Sequence, residues 1–229
     1  MSVLFTRRGP APKTGLPASD FAVGESVFLN VGGTLKEFLI VHQGNPNSSL
    51  YDASCDGTWL LMKDIYNEMA YNSGFDSKYS NSQIHTYLNG TFLSLLDVGV
   101  QEAIKSVLIP YSSNSGSLYV GSSGLSAKIF TLSGYEVGFT SSNMDKATSW
   151  ADGAKLDYFK NGGSKIAYYN GSNNEWWTRT PNDSSTVWIV SSGGSANSTS
   201  CNGTYPGIRP ALILPSDIKI DPDTNQIVA

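Results

Sequence analysis

Charge is scarce in this chain. Lysine, arginine, aspartate and glutamate supply 15% of its 229 residues, against roughly 25% in an average soluble protein. What charge there is leans acidic, with a formal net charge of −4. The basic face of a general nucleic-acid binder is missing, so no nucleic-acid partner is expected. Cysteine occurs twice, as Cys55 and Cys201. That excludes a disulfide-dense scaffold and a four-thiolate zinc site. Histidine also occurs twice, as His42 and His85, too few for a histidine-rich metal centre. No metal and no cofactor is expected. No apolar run approaches the roughly 18 residues of a membrane helix, so no membrane insertion is expected. The opening Met1-Ser-Val-Leu-Phe5 turns basic at once, unlike a standard secretory signal. A phosphate-binding loop is also missing: Gly121-Ser-Ser-Gly124 lacks the lysine that such a loop requires.

What is present is glycine (23 residues), an 11% share of aromatics, and abundant serine and asparagine. The length suits one large domain or two small ones and is ample for a core. Residues 1–19 stand apart. Arg7, Arg8 and Lys13 sit among Gly9, Pro10, Pro12, Gly15 and Pro17, a composition that forbids regular helix and favours an extended arm. Residues 20–229 are then a single domain. Residues 21–43 read as a hairpin turning at Gly32-Gly33. Residues 81–108 carry helical spacing in Ile84, Tyr87 and Leu88, then in Phe92, Leu95 and Leu96, which predicts two or three short amphipathic helices. Asn81 or Ser82 would cap the first. Strand-like runs recur at 128–132, 187–190 and 207–214, while 191–205 is small and polar. Short strands and helices without strict alternation predict the α+β class.

Few residues suggest covalent chemistry. Cys55 with His42 or His85 is the only thiol–imidazole combination, and a small buried cysteine is the plainer reading. Asp52 and Asp56 lie in turn-like sequence, and Asp64 and Glu68 suit a solvated helical face. No enzymatic activity is expected. Residues 170–205 suggest binding instead. They are rich in Tyr, Trp, Ser, Gly and Asn, the types that supply rigid contact area and adaptable hydrogen bonds in paratopes. The polar stretches lie between strand-like anchors, the usual way of displaying a site. Trp176 and Trp177 are adjacent on a strand and should face opposite sides, one into the core and one toward the site. Arg179 and Arg209 are expected to be structural, fixing loops through carbonyls or a carboxylate. Sequons for N-glycosylation occur at Asn47, Asn89, Asn170, Asn182, Asn197 and Asn202 and matter only in a glycosylating compartment.

Three phrases together resemble a closing signature: Trp176-Trp-Thr-Arg-Thr-Pro181, Val187-Trp-Ile-Val190 and Gly207-Ile-Arg-Pro-Ala-Leu212. That signature is found in a domain-of-unknown-function family of gut bacteria and their phages. The family is similar in turn to the C-type-lectin-like fold of formylglycine-generating enzymes and of the variable proteins of diversity-generating retroelements. The stretches Glu37–Gly44, Leu50–Trp59 and Ile84–Asn89 also resemble phage members, and Met1–Pro12 resembles the arm of phage structural proteins. The resemblance implies a C-type-lectin-like domain in a virion, with a ligand-binding face near its C-terminus that recognises a host-surface glycan or protein. Residues 1–17 would join other virion subunits, and a homo-oligomer is expected. Within that face, Trp176, Trp177, Trp188 and Tyr205 are the expected aromatic contacts. Asn182, Asp183, Ser184, Asn197, Thr199 and Asn202 are the expected polar ones, in a segment, 182–205, with the flavour of retroelement diversification. Two alternatives remain: a capsid decoration or baseplate protein without receptor binding, and an enzyme of formylglycine-generating type. Against the latter, the reactive cysteine pair of those enzymes has no counterpart at Cys55 and Cys201.

Overall fold

The computed structural model describes residues 15–146 and 150–228. Of the expected arm, residues 1–14 lie outside the described residues. Residues 15–19 belong to the folded unit, because β1 (Leu16–Pro17) is hydrogen-bonded into a sheet and Ala18 is fully buried.

The hairpin forms as expected from β2 (Ser26–Val31) and β3 (Thr34–Gln43). Gly32 and Gly33 turn at φ of +59° and +82°, values that side chains with a Cβ rarely adopt. Val27, Leu29 and Val31 alternate inward. β4 (Thr58–Met62) is buried along its whole length and pairs with β3. β5 (Asn67–Glu68) follows.

The helical region holds α1 (Gln83–Tyr87), a π turn over Leu88–Phe92, and α2 (Val98–Ala103). Ser82 is the cap: its hydroxyl accepts from the His85 amide at 3.0 Å, satisfying one of the orphan donors of the first turn. Ile84, Leu88 and Phe92 are the buried stripe. Next come β6 (Val107–Ile109), β7 (Tyr111–Ser112), β8 (Leu118–Tyr119), β9 (Leu125–Ala127) and β10 (Ile129–Phe130). Residues 141–175, a polar stretch whose periodicity does not decide between elements, contain α3 (Ser141–Met144), α4 (Asp157–Lys160), β11 (Ala167–Tyr169) and β12 (Ser172–Asn174). The last quarter holds β13 (Trp176–Pro181), β14 (Thr186–Val190), β15 (Ala196–Ser200), β16 (Gly207–Ile208), β17 (Ala211–Leu214), β18 (Lys219–Asp221) and β19 (Gln226–Ile227).

Two sheets organise these strands. One has eight, in the order β1-β18-β19-β2-β3-β4-β17-β10, and the other five, in the order β15-β14-β13-β16-β5. The smaller ladders β11–β12, β6–β9 and β7–β8 are two-stranded. Mixed sheets with a few short helices make this an α+β protein. Trp59 sits at the centre of the large sheet, fully buried. Tyr51 and Phe130 meet it edge-on, each with ring centroids 5.6 Å away. Its indole N–H donates to the Gly44 and Cys55 carbonyls at 3.1 and 3.0 Å.

One segment is more regular than its sequence suggests. Residues 196–200 read Ala-Asn-Ser-Thr-Ser yet form a full antiparallel ladder with β14, from Val190↔Ala196 to Thr186↔Ser200. β15 is the edge of its sheet and pairs through its backbone. The apolar anchoring comes from Val187 and Ile189 next door, both fully buried.

Candidate functional site

The two arginines of the closing phrases are both buried, and their surroundings differ. Arg179 grips the Glu136 carboxylate with both terminal nitrogens, Nη1 to Oε2 and Nη2 to Oε1, each at 2.6 Å. Its remaining donors go to the carbonyls of Pro110 (2.9 Å), Thr131 (3.0 Å) and Asp152 (3.0 Å). The Tyr51 hydroxyl and the Ser133 amide also donate to Glu136. Asp152 accepts from the hydroxyls of Thr180 (2.8 Å) and Ser112 (3.3 Å). Arg179 is therefore structural: it ties β13 to the segments around 110, 131, 136 and 152, and none of its donors is left for a ligand. Sequence reading missed its partners, because Glu136 and Asp152 lie in unpatterned stretches.

Complete burial raises the Asp152 carboxyl to about 6, against the opposing pull of Arg179. A carboxyl with a raised folded-state pKa binds its proton more tightly folded than unfolded. Its contribution to stability is therefore present below 3.8 and lost as pH rises through about 6. Asp152→Asn keeps an acceptor for Thr180 and removes the charge. Relative to the parent, this variant is expected to gain roughly 1–3 kcal/mol of unfolding free energy between about pH 4 and about pH 7.5. Urea titrations at the two pH values check it, and a difference independent of pH would contradict it.

Trp176 and Trp177 point to opposite faces of β13, as alternation demands, but both are fully buried. The Trp176 indole donates to the Lys165 carbonyl and that of Trp177 to the Met69 carbonyl, each at 2.9 Å. The expectation that one of them faces the site is corrected, because β13 lies inside its sheet and both its faces are covered. Trp188 is 9% exposed, with its indole N–H buried and without a hydrogen-bond partner among the described residues. Of the four expected aromatic contacts only Tyr205 stands in solvent, at 53% exposure. Its hydroxyl is 2.8 Å from that of Thr199.

The polar candidates divide among three places. Asn197 and Thr199 share one face of β15 by alternation, and Tyr205 joins them through Thr199. Asn182 is on the other face, its Nδ2 donating to Thr186 (2.9 Å) and Ser198 (3.4 Å) hydroxyls. Asp183 and Ser184 form the β13–β14 turn. The Asp183 carboxylate accepts from the Ser185 and Thr186 amides at 2.8 and 2.9 Å, and the Ser185 amide in particular holds its pKa below the usual range. Ser77 anchors this turn from outside: its hydroxyl donates to the Asp183 carbonyl and its amide to that of Ser184. The Thr186↔Ser200 pairing sets the turn beside Asn202, whose Oδ1 accepts from Ser200 at 2.8 Å.

A family model described as a domain of unknown function, DUF6273, matches residues 56–216. The chain belongs to that family. The DUF6273 region runs from the turn before β4 to the end of β17 and holds both arginines and every candidate contact. No curated protein and no solved structure matches the chain.

The cysteines of this DUF6273 protein are both free and buried. Burial pushes the Cys55 thiol up to about 12, and its Sγ donates to the Leu108 carbonyl at 3.3 Å. A nucleophilic cysteine needs its pKa lowered, not raised. His42 lies edge-on to Trp59, with Nδ1 2.7 Å from Asp157. His85 lies against the Tyr79 ring.

Proposed function

We propose that the chain is a virion protein of phage type with a C-type-lectin-like fold, which binds a host-surface glycan or protein through the β14–β15 edge and the loop after it. The observation that carries this reading is the state of Tyr205. Its ring is half-exposed, yet its hydroxyl is held on Thr199 of the edge strand. An aromatic fixed before binding loses little freedom when a ligand covers it. Asn197 and Asn202, both exposed, flank it with adaptable amides. Trp177 shares the face of Asn197 through the Trp177↔Ile189↔Asn197 register and braces the site as a buried neighbour, whereas Trp176 and Trp188 lie on the opposite face of the sheet. The family that the closing phrases resemble is similar in turn to retroelement variable proteins, and this supports placing diversity in 182–205.

The capsid-decoration reading has one observation in its favour: among the described residues β15 is the edge strand of its sheet, the position at which a neighbouring subunit can add a strand. Fluorescently labelled full-length protein applied to a glycan array and to intact gut bacteria separates the two. Receptor binding predicts retention on one of these surfaces. Tyr205→Ala is expected to lose about 2 kcal/mol or more of that affinity, while shifting unfolding free energy by less than about 0.5 kcal/mol. A folded protein that binds neither surface, or whose Tyr205→Ala variant binds equally well, overturns the receptor reading.

A further inference from the structure

Arg209 does not resemble Arg179 in what surrounds it. It is 1% exposed. Its Nε donates to the Met62 carbonyl at 2.8 Å, and its guanidinium lies 5.0 Å from the centre of the Trp176 ring. Nη1 is buried with no hydrogen-bond partner among the described residues, and no described carboxylate comes within ion-pair distance. A buried guanidinium of this kind is costly, since charge is taken from water without a counter-charge. The aromatic face of Trp176 offsets part of that cost but cannot accept a hydrogen bond. Burial accordingly lowers the Arg209 pKa to about 10, which for an arginine means that the protein disfavours its charge.

Arg209 also lines a cavity of about 500 Å³, together with Leu39, Lys63, Asp64, Tyr158, Ile166 and Tyr168. Lys63 is already paired with Glu37 at 2.8 Å. Asp64 accepts from the Tyr168 amide at 3.1 Å, which holds the β11 edge of the mouth in place. Tyr168 is 49% exposed there. The walls combine aromatic and aliphatic side chains with the polar Lys63, Asp64 and Ser164, and the Arg209 guanidinium, with its unpartnered Nη1, forms part of the lining. With Lys63 neutralised by Glu37, Arg209 and Asp64 remain. Those two charges cancel, so the attraction for an anion comes from the unpartnered Nη1 donor of Arg209, and Asp64 opposes any charge beyond a single carboxylate.

We propose that this cavity is a binding site for a small monocarboxylate with a ring-sized body, whose carboxylate is received by Arg209 and whose body lies against Tyr158, Ile166 and Tyr168. The site is independent of the β14–β15 face and shares no residue with it. Aromatic acids and uronic-type sugars have the same recognisable chemistry, a monocarboxylate on a six-membered ring, and the experiment distinguishes them.

The test is calorimetric and NMR titration of the full chain with benzoate, glucuronate, glucose and inorganic phosphate, at fixed ionic strength. Benzoate or glucuronate is expected to bind and to shift the Arg209 Nε–Hε resonance, whichever binds tighter naming the body. Glucose and phosphate are expected to bind at least tenfold more weakly. Arg209→Lys removes the planar fork and is expected to abolish binding. Because that buried change can also unfold the protein, two surface variants keep the proposal falsifiable. Asp64→Asn retains the acceptor for Tyr168 and removes the competing charge, so carboxylates should bind three- to tenfold tighter. Tyr168→Ala should bind them about fivefold more weakly. The proposal is overturned if neither carboxylate shifts Arg209, if phosphate binds as well as they do, or if both surface variants leave carboxylate affinity unchanged.

Discussion

Arg179→Ala is expected to cost about 3–5 kcal/mol of unfolding free energy. Net stabilities of folded proteins are about 5–15 kcal/mol, so much of the population should unfold at moderate temperature. The reason lies in what the substitution leaves behind. Glu136 is fully buried and is held by two 2.6 Å bonds to the guanidinium. Without Arg179 that carboxylate must stay buried and unpaired or take up a proton, and the carbonyls of Pro110, Thr131 and Asp152 each lose a donor. Replacing both members of the pair, as Arg179→Met with Glu136→Leu, removes the stranded charge and should recover part of the loss. Urea unfolding followed by circular dichroism reads both variants. An Arg179→Ala protein with an unchanged midpoint would show that the cluster contributes nothing to stability.

Trp177→Ala is the second large effect, expected at about 3–5 kcal/mol. The indole is fully buried, lies 5.4 Å from the Tyr71 ring, and donates to the Met69 carbonyl. Truncation opens a cavity between β13 and the 69–71 segment and orphans that carbonyl. Trp177→Phe, which keeps most of the volume and loses only the N–H, should cost less. The pattern opposes that expected for Tyr205→Ala, where binding falls and stability holds. Equal thermal midpoints for Trp177→Ala and the parent would return Trp177 to the list of surface candidates.

The legible parts of the fold were those with strong local signals. Gly32-Gly33 announced its turn because positive φ at two successive positions needs glycine. Ser82 and the spacing of Ile84, Tyr87 and Leu88 announced the helical region because a cap and an apolar stripe are readable within ten residues. The polar strand β15 was illegible because its order is borrowed from Val187 and Ile189 of β14. Both faces of β13 being covered was likewise illegible, since alternation fixes direction but not what lies in that direction. The candidate site was partly legible: Tyr205, Thr199 and Asn197 come together, while Asn182 faces the other way. The difference between Arg179 and Arg209 could not be read at all. Each follows a similar local phrase, and only long-range partners such as Glu136, 43 residues away, separate the saturated guanidinium from the unsatisfied one.

The order of the large sheet sets a timetable for synthesis. Among the described residues β1 has its ladder partner in β18, through Leu16↔Ile220 and Pro17↔Lys219, and β2 has its outer neighbour in β19, through Phe28↔Gln226. The strands made first therefore wait for those made last. The β2–β3–β4 core can form while the ribosome is still working, but that flank of the sheet closes only once nearly the whole described chain has emerged. Such long-range pairing is intrinsically slow. A chain cut short before residue 219 would leave β1 without a partner and the edge of β2 open to another copy of itself.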